Sequence, residues 1–237
     1  MNVPSDASAG FFGKVTSHGD FVSRRLPPAF VTRWDGWLQS VLQASRADLG
    51  PRWSSTYLSS SIWRFALAPG VCDDRSWAGL MMPSVDRVGR QFPLTIVASV
   101  AGNAPLREWA AEAGPWFGQL EALALWSLRE DFSLEQFDTA LRAIAAPATA
   151  KPAPMDDITQ GELPMGRVFA LAGLESLPTA VAQLDLAFSG ESLWWTDGSE
   201  QVMPCLLHCR GLPAIAASSA MFDGQWRARG WEGSGAQ

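Results

Sequence analysis

The sequence predicts a layered fold of the α/β or α+β class. Three observations carry this. Strand-like segments rich in β-branched and aromatic residues come first and helix-periodic segments follow them. The run PLTIVASV has almost no polar alternation, as expected of a strand covered on both faces. The chain has 237 residues, 47% of them hydrophobic and 18% charged, enough for a large core and too apolar for a disordered chain.

The apolar piece Gly10–Val15 reads as a first strand, ended by the polar turn Thr16–Asp20. Pro27 and Pro28 then open a helix at the one place where proline is tolerated. Its residues Phe30, Trp34, Trp37, Leu38, Val41 and Leu42 recur at helical spacing, so one face is buried. Gly50-Pro51 closes that region. Three strands are expected next: Ser61–Leu67, stopped by Pro69-Gly70, then Trp77–Val85 and Phe92–Val100 around the turn DRVGR. Helices over Pro105–Ala113 and Pro115–Glu130 each begin with proline. A third is capped by Ser133 with Gln136 at the capping-box position, and turns Leu134, Phe137, Leu141 and Ile144 inward.

Residues 145–166 are rich in Pro and Ala without a period and read as a linker or long loop. Beyond it, strands are expected at Leu184–Phe188, Ser192–Trp195 and Met203–Cys209, and a short helix at Ala217–Met221. The back third is too short for its own core, so residues 1–237 are expected to form a single domain.

No apolar run reaches the roughly 18 residues a spanning helix needs, and the N-terminus lacks a secretory leader. Three cysteines without framework spacing fit a reducing compartment. A soluble, cytoplasmic protein is the expectation, with no direct membrane insertion. Net charge is −6 with a pI near 4.9, which argues against nucleic-acid binding. The charge is uneven. Residues 1–100 carry 10 Lys and Arg against 7 Asp and Glu, and the remainder 8 against 17. A mildly basic front half suits a polar contact surface. The twelve tryptophans suit core or interface.

Chemistry-bearing motifs are sparse. GFFGKV lacks the spacing of a phosphate cradle, and no nucleophile elbow, zinc-protease helix or dinucleotide fingerprint is present. His18 lies in TSHGD near Ser17 and Asp20, but triads are assembled by the fold and not by adjacency. His208 lies in CLLHC. On a strand Cys205 and Cys209 share one face and His208 takes the other, so a metal site is not expected. The acidic pairs Asp73-Asp74 and Asp156-Asp157 have no evident partner. In MPSVDRVGR, Asp86 and Gly89 serve the turn, while Arg87 and Arg90 are not required by it. They either meet a partner or pin a loop within this chain.

The segments GFFGKVTSHGDFVSRRLP, WDGWLQ, WRFALAPG and MPSVDRVGRQFPLT, with a later SLWWTDG, closely resemble the TagF family of type VI secretion-associated proteins. The resemblance covers about the first 100 residues and implies a three-layer αβα sandwich, with a mixed, largely antiparallel sheet. It further implies a cytoplasmic, post-translational repressor of secretion-system assembly, linked to a forkhead-associated scaffold protein. It brings no catalytic residue and no cofactor, and a non-enzymatic role is expected. The expected partner surface comprises Lys14, His18, Asp20, Arg24 and Arg25 of the first motif, joined by Asp86, Arg87 and Arg90. Trp194 and Trp195 are added because consecutive strand residues point to opposite faces, which leaves one of them outward. The competing readings are a small hydrolase working through His18 and Asp20, and a structural accessory subunit of the apparatus.

Overall fold

In the computed structural model, residues 8–100, 106–145, 166–184 and 190–234 are described. The strands are β1 (Gly10–Gly13), β2 (Val22–Arg24), β3 (Trp63–Leu67), β4 (Ser76–Met82), β5 (Leu94–Val100), β6 (Arg167–Ala170), β7 (Glu191–Thr196), β8 (Cys205–Arg210) and β9 (Glu232–Ser234). They form one sheet in the order β2-β1-β5-β4-β3-β7-β8-β6-β9. Every neighbouring pair is antiparallel except β6 with β9. The sheet thus takes strands from both sides of residues 145–166.

Helices cover both faces. The long α1 (Pro28–Leu49), α2 (Trp53–Leu58) and the short α7 (Ala220–Asp223) lie on one face. The other carries α3 (Leu106–Glu112), α4 (Gly114–Trp126), α5 (Leu134–Ala143) and α6 (Leu177–Ala182). The period of two along each strand feeds two separate cores. Phe65, Trp77, Val97 and Trp194 pack under α1; Ala66, Leu80, Ile96 and Trp195 pack under α3 to α6. The architecture is the expected αβα sandwich with a mixed, largely antiparallel sheet.

The α1-side core is aromatic. Trp34 stacks 5.8 Å from Trp194 and touches Phe30, Phe65 and Trp37, and its Nε1–H donates to Thr95 Oγ1 at 2.9 Å. Eleven of the twelve tryptophans are buried, so this residue serves the cores; Trp126 is half-buried. The indole nitrogens of Trp109 and Trp116 are buried without a hydrogen-bond partner among the described residues.

Several boundaries move, for local reasons. β4 stops at Met82 because Pro83 follows, and β5 starts at Leu94 because Pro93 precedes it; Val85 keeps a single bridge to Gln91. The helix expected to reach Glu130 ends at Trp126. The last helix starts at Ala220 rather than Ala217. β2, α2, β6, α6 and β9 are additional, none longer than six residues. The Ser133 cap is present, its Oγ accepting from the Gln136 amide at 3.4 Å. The linker expected over 145–166 lies, but for its two end residues, outside the described residues, as do the strand expected over 184–188 beyond Leu184 and the Asp156-Asp157 pair.

Candidate functional site

β1 is antiparallel to both β2 and β5, so the loop after Gly13 and the loop before Leu94 leave the same end of the sheet. The structure therefore brings Lys14, His18, Asp20, Asp86, Arg87 and Arg90 together. Asp86 is the hub. Its carboxylate accepts from Lys14 Nζ at 2.5 Å and Arg90 Nε at 2.6 Å, and from the amides of Arg90 at 2.8 Å and Val88 at 3.0 Å. Arg90 also donates to the Gly19 carbonyl, and the Arg87 amide donates to the His18 carbonyl at 2.9 Å. Two loops some 70 residues apart in sequence become one unit.

Lys14 and Asp86 are buried, at 6% and 2% exposure, so they join the loops from beneath their exposed side. Burial alone would raise the Asp86 carboxyl. The hydrogen bonds from Lys14, Arg90 and Val88 outweigh it and hold the group well below the usual carboxylate range. A carboxyl so depressed stabilises the fold fully above its unfolded value of about 3.9, and loses that contribution as pH falls below it. Asp86→Asn is therefore expected to melt below wild type by a constant margin from about pH 5 to 7, narrowing below about pH 4. Thermal melts across that range check this; a margin that stays constant in acid would mean that charge does not join the loops.

Tyr57 pins the second loop to α2. Its hydroxyl donates to the Ser84 carbonyl at 2.9 Å and accepts from the Ser84 amide at 3.0 Å. Burial pushes its phenol well above the ordinary value, so it stays a neutral donor. Gln91 Nε2 adds a bond to Ser54 Oγ at 2.7 Å. The loops thus rest on α2 as well as on each other.

On top of this frame, Arg87 is exposed and makes no ion pair among the described residues. Of the two arginines left open above, Arg90 pins the loops and Arg87 faces outward. Ser17 Oγ lies 2.8 Å from His18 Nδ1 on an open turn, Ser17 and Asp20 being exposed and His18 half-buried. Beside them stand Phe21, 48% exposed and packed on Phe12 and Phe92, and Val88, 69% exposed at the hairpin tip. The end of α4 approaches too, through Thr16 Oγ1 and the Ser127 carbonyl at 3.0 Å, and brings exposed Leu125 and Leu128. Leu58 at the end of α2 and Met203 on the turn between β7 and β8 are exposed at the same end of the sheet, on other strands and faces.

Four residues expected on this surface are elsewhere. Arg24 and Arg25 follow β2 to the opposite end of the sheet, since Arg24 is paired with Phe11. Arg25, at φ 56°, donates to the Ala9 carbonyl and pairs with Asp138 of α5, which Arg142 also holds at 2.7 Å. Trp194 and Trp195 do point to opposite faces, but helices cover both, and their exposures are 0% and 1%. The expectation that one faces outward fails for that reason. The sequence reading does not single out Phe21, Val88 or Leu58: Phe21 and Val88 sit in polar loops that give no periodic signal, and Leu58 ends α2, whose six residues are too few to show one.

The second histidine motif does not converge. Cys205 and Cys209 lie in the α1-side core, with the Cys205 thiol pushed up to about 12 by burial. His208 points to the other face and meets Glu191 at 2.9 Å, both buried. Asp73 does have a basic partner, Arg75 at 2.6 Å. Among the described residues, no group of three or more His, Cys, Asp or Glu is placed to hold a metal ion, and no helix is long and apolar enough to cross a membrane.

Comparison with known proteins agrees with the motifs at this end of the sheet. No curated protein matches the chain. A solved structure, PA0076 from Pseudomonas aeruginosa PAO1, is similar at 36% identity and a TM-score of 0.76, covering 92% of this chain and 95% of that one. Residues 10–144 match the model of the TagF N-terminal domain, described as type VI secretion system-associated. That match spans both loops of the Asp86 hub and more than half of the chain, and by it the chain belongs to the TagF family of type VI secretion system-associated proteins.

Proposed function

We propose that the chain is a repressor of type VI secretion assembly that acts by binding, and not by catalysis, with a forkhead-associated scaffold protein as its partner. The observation that carries this reading is the end of the sheet built on Asp86. There an ionic frame carries exposed Arg87 on the same two loops as exposed Phe21 and Val88, in a chain of this family. Arginine and aromatic side chains are enriched at protein interfaces and among the residues that carry their binding energy. The open turn around His18 supports binding over hydrolysis, since a hydrolase needs walls that exclude water from its reacting groups. Occupying a scaffold needs only a rigid surface in the cytoplasm, where its partner is assembled.

The experiment is recovery of the purified forkhead-associated protein by immobilised wild type, Arg87→Glu and Val88→Asp. Both side chains are exposed, so the variants should fold as wild type does. Each is expected to weaken binding at least tenfold. Equal recovery by all three would move the surface elsewhere; failure of wild type to recover the scaffold would remove the partner.

A further inference from the structure

The three longest helices differ in what they turn outward. α1 exposes Arg33 and Arg46, and α5 exposes Glu135 and Arg142. α4 exposes no charged residue. Its one charge, Glu121, is half-buried and held by Arg64 of β3, which Asp197 also holds at 2.9 Å. Trp116, Phe117, Leu120 and Ala124 are buried in the core beneath. Pro115, Gly118, Gln119, Ala122 and Leu125 are exposed and, at 3.6 residues per turn, share about one third of the circumference. Exposed Leu128, just past the end of the helix, extends this face. A helix on a free surface sets charged and polar residues opposite its core stripe, whereas one that is apolar all round is a covered one.

The face is complementary to itself in shape. It is bulky at its C-terminal end, where Leu125 and Leu128 are each 47% exposed. It is bare at its N-terminal end, where a Cβ added to Gly114 or Gly118 would meet nothing within 4 Å. Turned end for end about Ala122, a second copy sets its Leu125 over Gly118 and its Leu128 over Pro115. A parallel copy would set leucine against leucine and glycine against glycine. The missing charge favours the same occupant. A twofold contact places a surface against itself, and a chain of net charge −6 repels its own copy wherever that surface is charged.

We infer that the outer face of α4 is a twofold contact between two copies of this chain, antiparallel α4 on α4, that forms a weak dimer. Helices about 20 Å long cover less than the roughly 800 Å² that each partner gives to a standard interface, so the dimer dissociates on dilution. Neither Arg87 nor Val88 takes part, and the inference stands apart from the scaffold reading.

The test is sedimentation velocity of the full chain from about 1 to about 500 μM, a range that spans the Kd of about 10–100 μM expected of so small a contact. The sedimentation coefficient is expected to rise from that of a monomer to that of a dimer across it. Leu125→Glu is expected to weaken the dimer at least tenfold, because it brings an unpaired carboxylate into an apolar contact. Gly118→Gln is expected to do the same while melting no lower than wild type, since glutamine is the better helix former and has open space there. That variant separates a blocked contact from a damaged fold. Raising NaCl from about 50 to about 500 mM is expected to tighten the dimer, because salt screens the repulsion between like-charged chains and leaves an apolar contact intact. A wild type that stays monomeric throughout would overturn the inference and leave the face to a different protein. A dimer that survives both substitutions, or that salt dissolves, would overturn it too.

Discussion

Replacing Gly13 by alanine is expected to lower stability by about 2–6 kcal/mol and to part the two loops joined at Asp86. Gly13 ends β1 at φ 141°, a conformation that residues with a Cβ rarely adopt. A methyl group there would run into the Pro93 carbonyl oxygen and lie 2.9 Å from the Leu94 Cα, both backbone atoms that cannot swing aside. Backbone strain of about 1–3 kcal/mol and overpacking of similar size add. The next residue is Lys14, so the shift is passed straight to the ion pair with Asp86. Thermal melts of Gly13→Ala beside Gly36→Ala check the argument. Gly36 is exposed on α1 with nothing within 4 Å of a new methyl group. Its change is expected to stabilise by about 0.5–1 kcal/mol through helix propensity. If the two variants melt alike, the close approach of β1 to the Pro93 loop does not constrain the fold.

Trp34→Ala is expected to cost about 3–5 kcal/mol, a large share of the roughly 5–15 kcal/mol that holds a domain together. Trp34 is fully buried and bridges α1 to strands from both halves of the chain, through Phe65 on β3 and Trp194 on β7. Truncation opens a cavity and strips the Thr95 hydroxyl, itself buried, of its donor. For a chain of this size the loss corresponds to a fall in Tm of about 6–20 °C. Trp34→Phe retains much of the ring contact but not the Thr95 bond, so it should fall between wild type and alanine. A Tm unchanged by the alanine variant would mean that α1 is not clamped to the sheet through this residue.

These two sites show how differently parts of the protein are encoded. Trp34 announces itself, one of six apolar residues at helical spacing after a proline pair, because a helix buries one stripe and the stripe is periodic. The central strands were equally plain: PLTIVASV lacks alternation because both its faces are covered. The pieces that escaped, β2, α2, β6, α6 and β9, run to six residues at most. So short a segment holds no full period and is held by its neighbours rather than by its own propensity.

The site divides along the same line. Local spacing marked the two motif loops as unusual and flagged arginines that no turn requires. It could not tell Arg87 from Arg90, because the distinction depends on a carboxylate and a carbonyl that other segments supply. Nor could it place Arg24 and Arg25 at the far end of the sheet, or bury Trp195 beneath helices distant in sequence. The layers, the long helix and the loops that carry the family's motifs are legible in the residues alone, since they follow from period, proline and glycine over a few positions. Which motif residues hold the frame and which face outward emerges with the folded chain, because burial and ion pairing are set by strand order, and strand order joins residues some 70 positions apart.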